Sequence, residues 1–284
     1  VGFFIAATLP VKFYKANSRA FMLLAILLLL TVFLPVIGRS AGGARRWIHL
    51  GGFQFQPVEF AKLACCIYLS DYLSRKIAVV QKGDLLIFLP PLMLVGILCG
   101  LTIIEPDLGS TALMALLSAI IFFVSGIRLR YILGVVLVFV PVFYGLVVMK
   151  PYRLSRLQAY LNPWQDPQGS GFQIIQSLLA FASGGLGGVG LGQSTQKLFY
   201  LPSSHNDFIL AVIAEELGLA GLFVIVALYL TFFFCCVRIA KRADQPFEKL
   251  LVTALMLLIV LQTAIHMMVA IGLVPTKGLP LPFV

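Results

Sequence analysis

The sequence predicts an all-α, polytopic membrane protein, and three observations carry that expectation. Hydrophobic residues fill 60% of the 284 positions and charged residues only 11%, against about 45–50% and about 25% in soluble domains. The apolar residues fall in continuous runs close to the ~20 residues that a membrane-crossing helix needs. These runs do not alternate with period two, which excludes a β-barrel, the other architecture whose backbone is satisfied in lipid.

Candidate spans lie at about 1–11 (a remnant), 20–37, 58–74, 85–104, 109–126, 131–149, 207–237 and 249–273. The 207–237 run is long enough to tilt or to extend beyond the bilayer. Neither end carries a signal-peptide pattern, and both lie in apolar stretches. The chain is therefore expected to be a single transmembrane domain, 1–284, truncated at both ends. No internal repeat is evident. The connections KFYKANSR (12–19), SRKIAVVQKGD (74–84), RLR (128–130) and RIAKRADQPFEK (238–249) carry twelve of the 21 Lys and Arg, which places them in the cytoplasm. The net charge of +10 is spread between spans, so it suits anionic phospholipid and orientation better than nucleic acid. The opposite side then receives a long extracytoplasmic loop, 150–206, and loops of that length seldom lack a function.

Each ionisable group within a span is a functional candidate, because burying it in lipid costs a few kcal/mol at least. In order along the chain, Arg45, Arg46 and Trp47 open the outer loop GARRWIHLGG, and two guanidiniums beside an indole suit either a phosphate or an interfacial anchor. Glu59 and Lys62 are three apart on a helix, hence able to pair with each other or to bind substrate. Glu105 and Asp107 flank Pro106 between two spans, where they are either a solvated capped turn or hard oxygen ligands for a divalent cation. The glycines of SGGLGGVGLGQ follow no strand and precede no Gly-Lys-Ser/Thr, so they are not a nucleotide fingerprint; they suit a closely packed re-entrant or interfacial segment. Asp207, after His205 and Asn206, is either a helix cap or a general base on a substrate hydroxyl. Of Glu215 and Glu216, one is expected to face the interior and bind backbone or basic partners. His49 and His266 read as ordinary hydrogen-bonding histidines, and the five cysteines as small buried hydrophobes.

Together RRWIHLGGFQFQPVEFAKLA, EPDLGS, the run from NPWQDPQGSGFQ to YLPSSHNDFILAVIAEELG, and GLVPTKGLPLPF resemble the SEDS family of bacteria (shape, elongation, division and sporulation). The PTKG at 275–278 and SDYLSRK at 70–76 are closer to its cell-division branch than to its elongation branch. The chain departs from the family at Ser203, where Glu is common, and at Asn206, where Thr is common.

The resemblance implies a ten-span helical bundle, with about eight spans wholly or partly present here, and one large extracytoplasmic loop. It implies a bacterial inner-membrane glycosyltransferase at the division septum that polymerises lipid II into peptidoglycan strands. Its expected partners are a class B penicillin-binding protein, as transpeptidase, and other division membrane proteins. The family's essential Asp falls on Asp207, which makes it the expected base. Arg46, Trp47, Glu59, Lys62, Arg153, His205 and Lys277 are expected to bind substrate. Glu105 and Asp107 are expected to hold any divalent cation (Mg or Mn), and no nucleotide is needed because the lipid pyrophosphate supplies the energy. Rival expectations are a lipid II flippase, an elongation-type polymerase, or a scaffold for the transpeptidase.

Overall fold

The computed structural model describes residues 6, 8–34, 38–41, 44–50, 53–82, 85–149, 151–196, 207–276, 278 and 280–283. The helices are α1 (Val11–Ala16), α2 (Ser18–Thr31), α3 (Pro57–Lys82), α4 (Leu89–Ile104), α5 (Leu108–Val124), α6 (Leu129–Val148), α7 (Pro151–Leu161), α8 (Phe172–Gly184), α9 (Ile209–Arg242) and α10 (Pro246–Ala270). The membrane-protein expectation holds. Among the described residues, Leu86–Ile104, Leu129–Val148, Ile209–Arg242 and Pro246–Ala270 are long and apolar enough to cross a bilayer. Helix α3 has the length as well, but its charges lower its hydropathy.

Three expectations change. The outer loop around Arg46 is an antiparallel sheet of β1 (Gly38–Ala41), β2 (Ala44–Leu50) and β3 (Phe53–Phe55), ordered β1-β2-β3, with Trp47 opposite Arg39 and Ile48 opposite Phe55. The basic connections 12–19 and 74–84 are largely helical, since α1 and α2 cover the first and α3 runs to Lys82. The long outer loop also contains two helices, α7 and α8.

By backbone contacts the chain forms two compact units, Val1–Ile132 with Cys236–Leu258, and Leu133–Cys235 with Ile259–Val284, with every boundary inside a helix. In the first unit, α3 is the most buried helix. Cys65, Cys66 and Leu69 on it are fully covered, and the Cys65 thiol meets the Ser118 hydroxyl of α5 at 3.6 Å. Thr102 and Thr111 join α4 to α5 through their hydroxyls at 2.8 Å. At the end carrying the basic connections, Ile67, Phe247 and Leu251 pack with Tyr14, Phe21 and Leu255, and the Lys15 ammonium lies 5.7 Å from the Phe247 ring centre. Cys65, Cys66 and Cys99 are buried as expected, but Cys235 is exposed and Cys236 half-buried.

In the second unit, two apolar clusters hold together the end where α8 meets the start of α9 and the end of α10. One is Ala180, Phe208, Ala211 and Val269; the other is Leu210, Ala270 and Leu281. The Ser177 hydroxyl donates to the Ala270 carbonyl at 2.6 Å, fixing α8 to the end of α10. The segment after α10 folds back onto the helices: Gln262 donates to the Pro280 carbonyl at 3.0 Å, and Tyr229 donates to that of Pro282.

Helix α9 is not one continuous rod. Gly218 has φ 63° and ψ −159°, a combination essentially reserved for glycine, so the helix breaks into 209–217 and 219–242. The long 207–237 run is thus two helical segments and not one. The glycine-rich segment seals the break. The N–H groups of Val189 and Gly190 donate to the Glu215 and Glu216 carbonyls at 2.9 and 3.0 Å. The Leu219 and Ala220 N–H groups donate to the Gly185 and Leu186 carbonyls at 3.0 and 3.3 Å. Groups orphaned at both new helix ends thereby find partners.

Candidate functional site

In the second unit the site is built around Asp207, two residues before the short helix 209–217. Phe208 beside it is 1% exposed and anchored in the apolar cluster, which fixes the backbone from which the Asp207 carboxylate projects. Among the described residues, no hydrogen bond ends on that carboxylate, whereas Asp107 accepts from the Ser110 N–H at 3.0 Å and caps α5. Of the two caps that sequence allowed, the one at Asp107 forms, and among the described residues Asp207 makes no capping bond. Burial raises the Asp207 pKa above its ordinary 3.8, and the nearby positive charge of Arg156 pulls it partly back.

The wall opposite the carboxylate is Gly278. A Cβ built on Gly278 would stand 3.2 Å from Asp207 Oδ2 and 3.4 Å from Oδ1, so the glycine keeps space open at the oxygens. Helix α7 supplies the cationic side. Arg153 is buried and donates from Nη1 to the Leu146 carbonyl at 2.7 Å, an anchoring contact to the end of α6. Arg156, one turn on, is exposed and acts on Asp207. Tyr160, another turn on, donates to the Leu273 carbonyl at 3.0 Å, holding α7 to the segment that leads to Gly278. His205 and Lys277 lie outside the described residues.

Glu215 answers the expectation that one of the two glutamates binds backbone. It is 2% exposed, and its Oε1 accepts from the Thr195 N–H at 3.2 Å and the Thr195 hydroxyl at 2.8 Å. Its Oε2 accepts from the Ser194 hydroxyl and from the Gln196 N–H at 3.3 Å.

In the first unit, Arg46 and Trp47 are half-buried on β2. Arg46 donates from Nε to the Glu105 carbonyl at 3.2 Å and from Nη2 to the Pro106 carbonyl at 2.5 Å. It ties the outer sheet to the α4–α5 turn. Glu59 and Lys62 pair with each other at 2.7 Å, Lys62 fully covered and Glu59 39% exposed. Glu105 is 2% exposed, and among the described residues its Oε1 has no hydrogen-bond partner. Burial chiefly, then the Asp107 charge, pushes its pKa up to about 8 against the opposing pull of Arg46.

Asp107 spends one oxygen on the Ser110 N–H and the other on the Ser110 hydroxyl at 2.8 Å. Among the described residues no three His, Cys, Asp or Glu side chains gather as a metal site. A divalent ion needs around six oxygen ligands, and Asp107 already has both of its oxygens on Ser110.

Two buried or acting charges escape a reading of the sequence: Arg156 and Asp71. Asp71 is 1% exposed and takes hydrogen bonds from Ser18 and Arg75. The i, i+4 spacing of Asp71 and Arg75 is the signal that could have found it. Nothing local distinguishes Arg156 from its neighbours.

The whole chain, residues 1–284, matches the FtsW/RodA/SpoVE family, described as cell cycle proteins. A Geobacter metallireducens protein named probable peptidoglycan glycosyltransferase FtsW is 44% identical over 283 residues, 99% of this chain and 74% of that protein. A Coxiella burnetii protein of the same name is 42% identical over 283 residues, 99% of this chain and 76% of its own length. Among solved structures, a chain of a peptidoglycan synthase complex that coordinates polymerization and crosslinking superposes with TM-score 0.80 at 28% identity, over 98% of this chain and 77% of that one. The rod shape determining protein RodA of Thermus thermophilus gives TM-score 0.68 at 24% identity, over 98% and 74% of the two chains, a likeness of fold.

Proposed function

The chain belongs to the FtsW/RodA/SpoVE family of cell cycle proteins, and from that membership and the site at Asp207 we propose that it is a multi-pass membrane glycosyltransferase that polymerises lipid II into peptidoglycan strands. It works at the division septum, beside a class B penicillin-binding protein that crosslinks the strands and other division membrane proteins. The relatives named for peptidoglycan glycosyltransfer support the activity, and the similar chain within a polymerising and crosslinking complex supports the partner.

One observation carries the chemistry: a half-buried carboxylate whose oxygens accept no hydrogen bond among the described residues and face the bare edge of Gly278. The 4-hydroxyl of an acceptor GlcNAc attacks C1 of the donor MurNAc, and its proton passes to Asp207 as the new C–O bond forms. The C1–O bond to the lipid pyrophosphate breaks, and the electron pair leaves on the pyrophosphate. A single displacement inverts the anomeric centre. Arg156 is the cation that acts on this carboxylate in the described structure, suited to the phosphate charge that develops. The transport reading needs Glu59 and Lys62 along a path, and they are instead paired with each other.

The test is lipid II polymerisation by the full-length protein with its transpeptidase partner, carrying Asp207→Asn. Loss of a general base costs about 10²–10⁴-fold in rate. A variant that polymerises at the native rate refutes the assignment, and translocation of lipid II in liposomes without glycan formation would favour transport.

A further inference from the structure

We infer that Glu215 is a positioning residue for polymerisation: its carboxylate clamps Ser194–Gln196 onto the short helix that begins just after Asp207. The inference rests on the reading of Asp207 as the base. The helix 209–217 is tied at its far end, where Gly218 breaks it and the glycine-rich segment fills the orphaned groups. Glu215 sits in its last turn, eight residues after Asp207, about 12 Å at 1.5 Å per residue. The main-chain carbonyl of Glu215 accepts from Val189, and its carboxylate accepts from Ser194, Thr195 and Gln196. Both ends of the 197–206 connection, which contains Lys197 and His205 and leads into Asp207, therefore attach to one helix.

The choice of a carboxylate is informative. A carboxylate that is 2% exposed carries a desolvation cost that only strong donors offset. Here the donors are four N–H and O–H groups from three consecutive residues. A glutamine has the same shape but presents an NH2 in place of one oxygen. It cannot accept from the Gln196 N–H while keeping both Thr195 bonds. The charge is thus matched to holding a turn of backbone, and helix formation alone would not require it.

The experiment uses the full-length protein with its partner and compares Glu215→Gln, Glu215→Ala, Ser194→Ala and Asp207→Asn. Two quantities are read: the initial rate of lipid II polymerisation and hydrogen exchange at the Thr195 and Gln196 amides. Glu215→Gln is expected to lose amide protection and about 10²-fold in rate, the cost of a misplaced reacting group. Ser194→Ala, which deletes one donor and no charge, should lose far less of both. Asp207→Asn should lose the rate and keep the protection. Lost protection with an unchanged rate, or a fallen rate with protection intact, overturns the clamp. If Asp207→Asn polymerises normally, the base reading fails, while exchange in the Glu215 variants still reports whether the clamp exists. Where Glu215→Ala or Glu215→Gln does not fold, Ser194→Ala combined with Thr195→Val removes both hydroxyl donors and carries the same two readouts.

Discussion

At the scale of single residues, the protein separates carboxylates by what they are given. Asp107 and Glu215 are surrounded by donors; Asp207 is given burial and the pull of one cation. Burial raises its pKa above 3.8, and a base works only when ionised, so polymerisation should rise with pH through that raised value and then level. Arg156→Gln removes the charge that lowers the pKa, and should move the rising limb to higher pH; a limb that stays put would separate Arg156 from Asp207. The stability sign is opposite. The native state holds the Asp207 proton to higher pH than the unfolded chain does, so this group's contribution is present at low pH and lost as pH rises from about 3.8 through the folded value. Asp207→Asn should abolish that loss, and thermal unfolding in detergent across pH reads it. The Glu59–Lys62 pair predicts an asymmetry of another kind. Lys62 is fully covered while Glu59 is 39% exposed. Glu59→Gln strips a buried ammonium of its carboxylate, at up to about 3–5 kcal/mol, whereas Lys62→Met leaves a carboxylate that is only partly covered. Equal melting temperatures for the two variants would contradict this.

At the scale of elements, periodicity and length decided what could be read from sequence. The spans were readable because a continuous apolar run near 20 residues matches the thickness of a bilayer and little else. Helices α7 and α8 were not, since PYRLSRLQAYL and FQIIQSLLAFASG are short and lie among Gly, Pro and Asn. The outer sheet was hidden for a related reason: its third strand has three residues, FQF, too few to show an alternating pattern. The break in α9 lies in ELGLAGLF, where a lone glycine usually only weakens a helix; what makes Gly218 decisive is a distant segment that bonds to both sides of it. Asp207 was legible as a candidate from its place at the mouth of an apolar run, but its bare oxygens were not, because Gly278 reaches it from 71 positions away in the chain. Gly218→Ala carries a clear expectation. Its positive φ strains any L-residue, by about 1–3 kcal/mol, and the new methyl would meet the Gly188 nitrogen and, at 2.7 Å, the Leu186 carbonyl oxygen. We expect a melting temperature several degrees lower and weaker amide protection at Leu219 and Ala220, the two donors to the glycine-rich segment.

At the scale of the whole molecule, the contacts agree with the sidedness read from Lys and Arg, one unit at a time. Segments assigned to the cytoplasm meet each other: Lys15 lies over Phe247, and Ser18 and Arg75 both donate to Asp71 at the end of the adjoining span. Segments assigned outside also meet each other: Arg46 reaches the Glu105–Pro106 turn, Tyr160 reaches Leu273, and Gly278 faces Asp207. None of these contacts joins a segment of one side to a segment of the other. The bias of basic residues is modest by count, and within each unit these pairings are consistent with it. The proposed function requires the Asp207 carboxylate to face the compartment where peptidoglycan lies, and this sidedness can be measured directly. In a background without the five native cysteines, Gln168→Cys in the outer loop and Gln245→Cys between α9 and α10 place single thiols at exposed positions. A membrane-impermeant maleimide added to intact spheroplasts should label the thiol at 168 and spare that at 245. Permeabilised membranes should label both. Labelling of 245 from outside would invert the topology, put Asp207 on the cytoplasmic face and leave the proposed base unable to meet a substrate whose sugars stand outside.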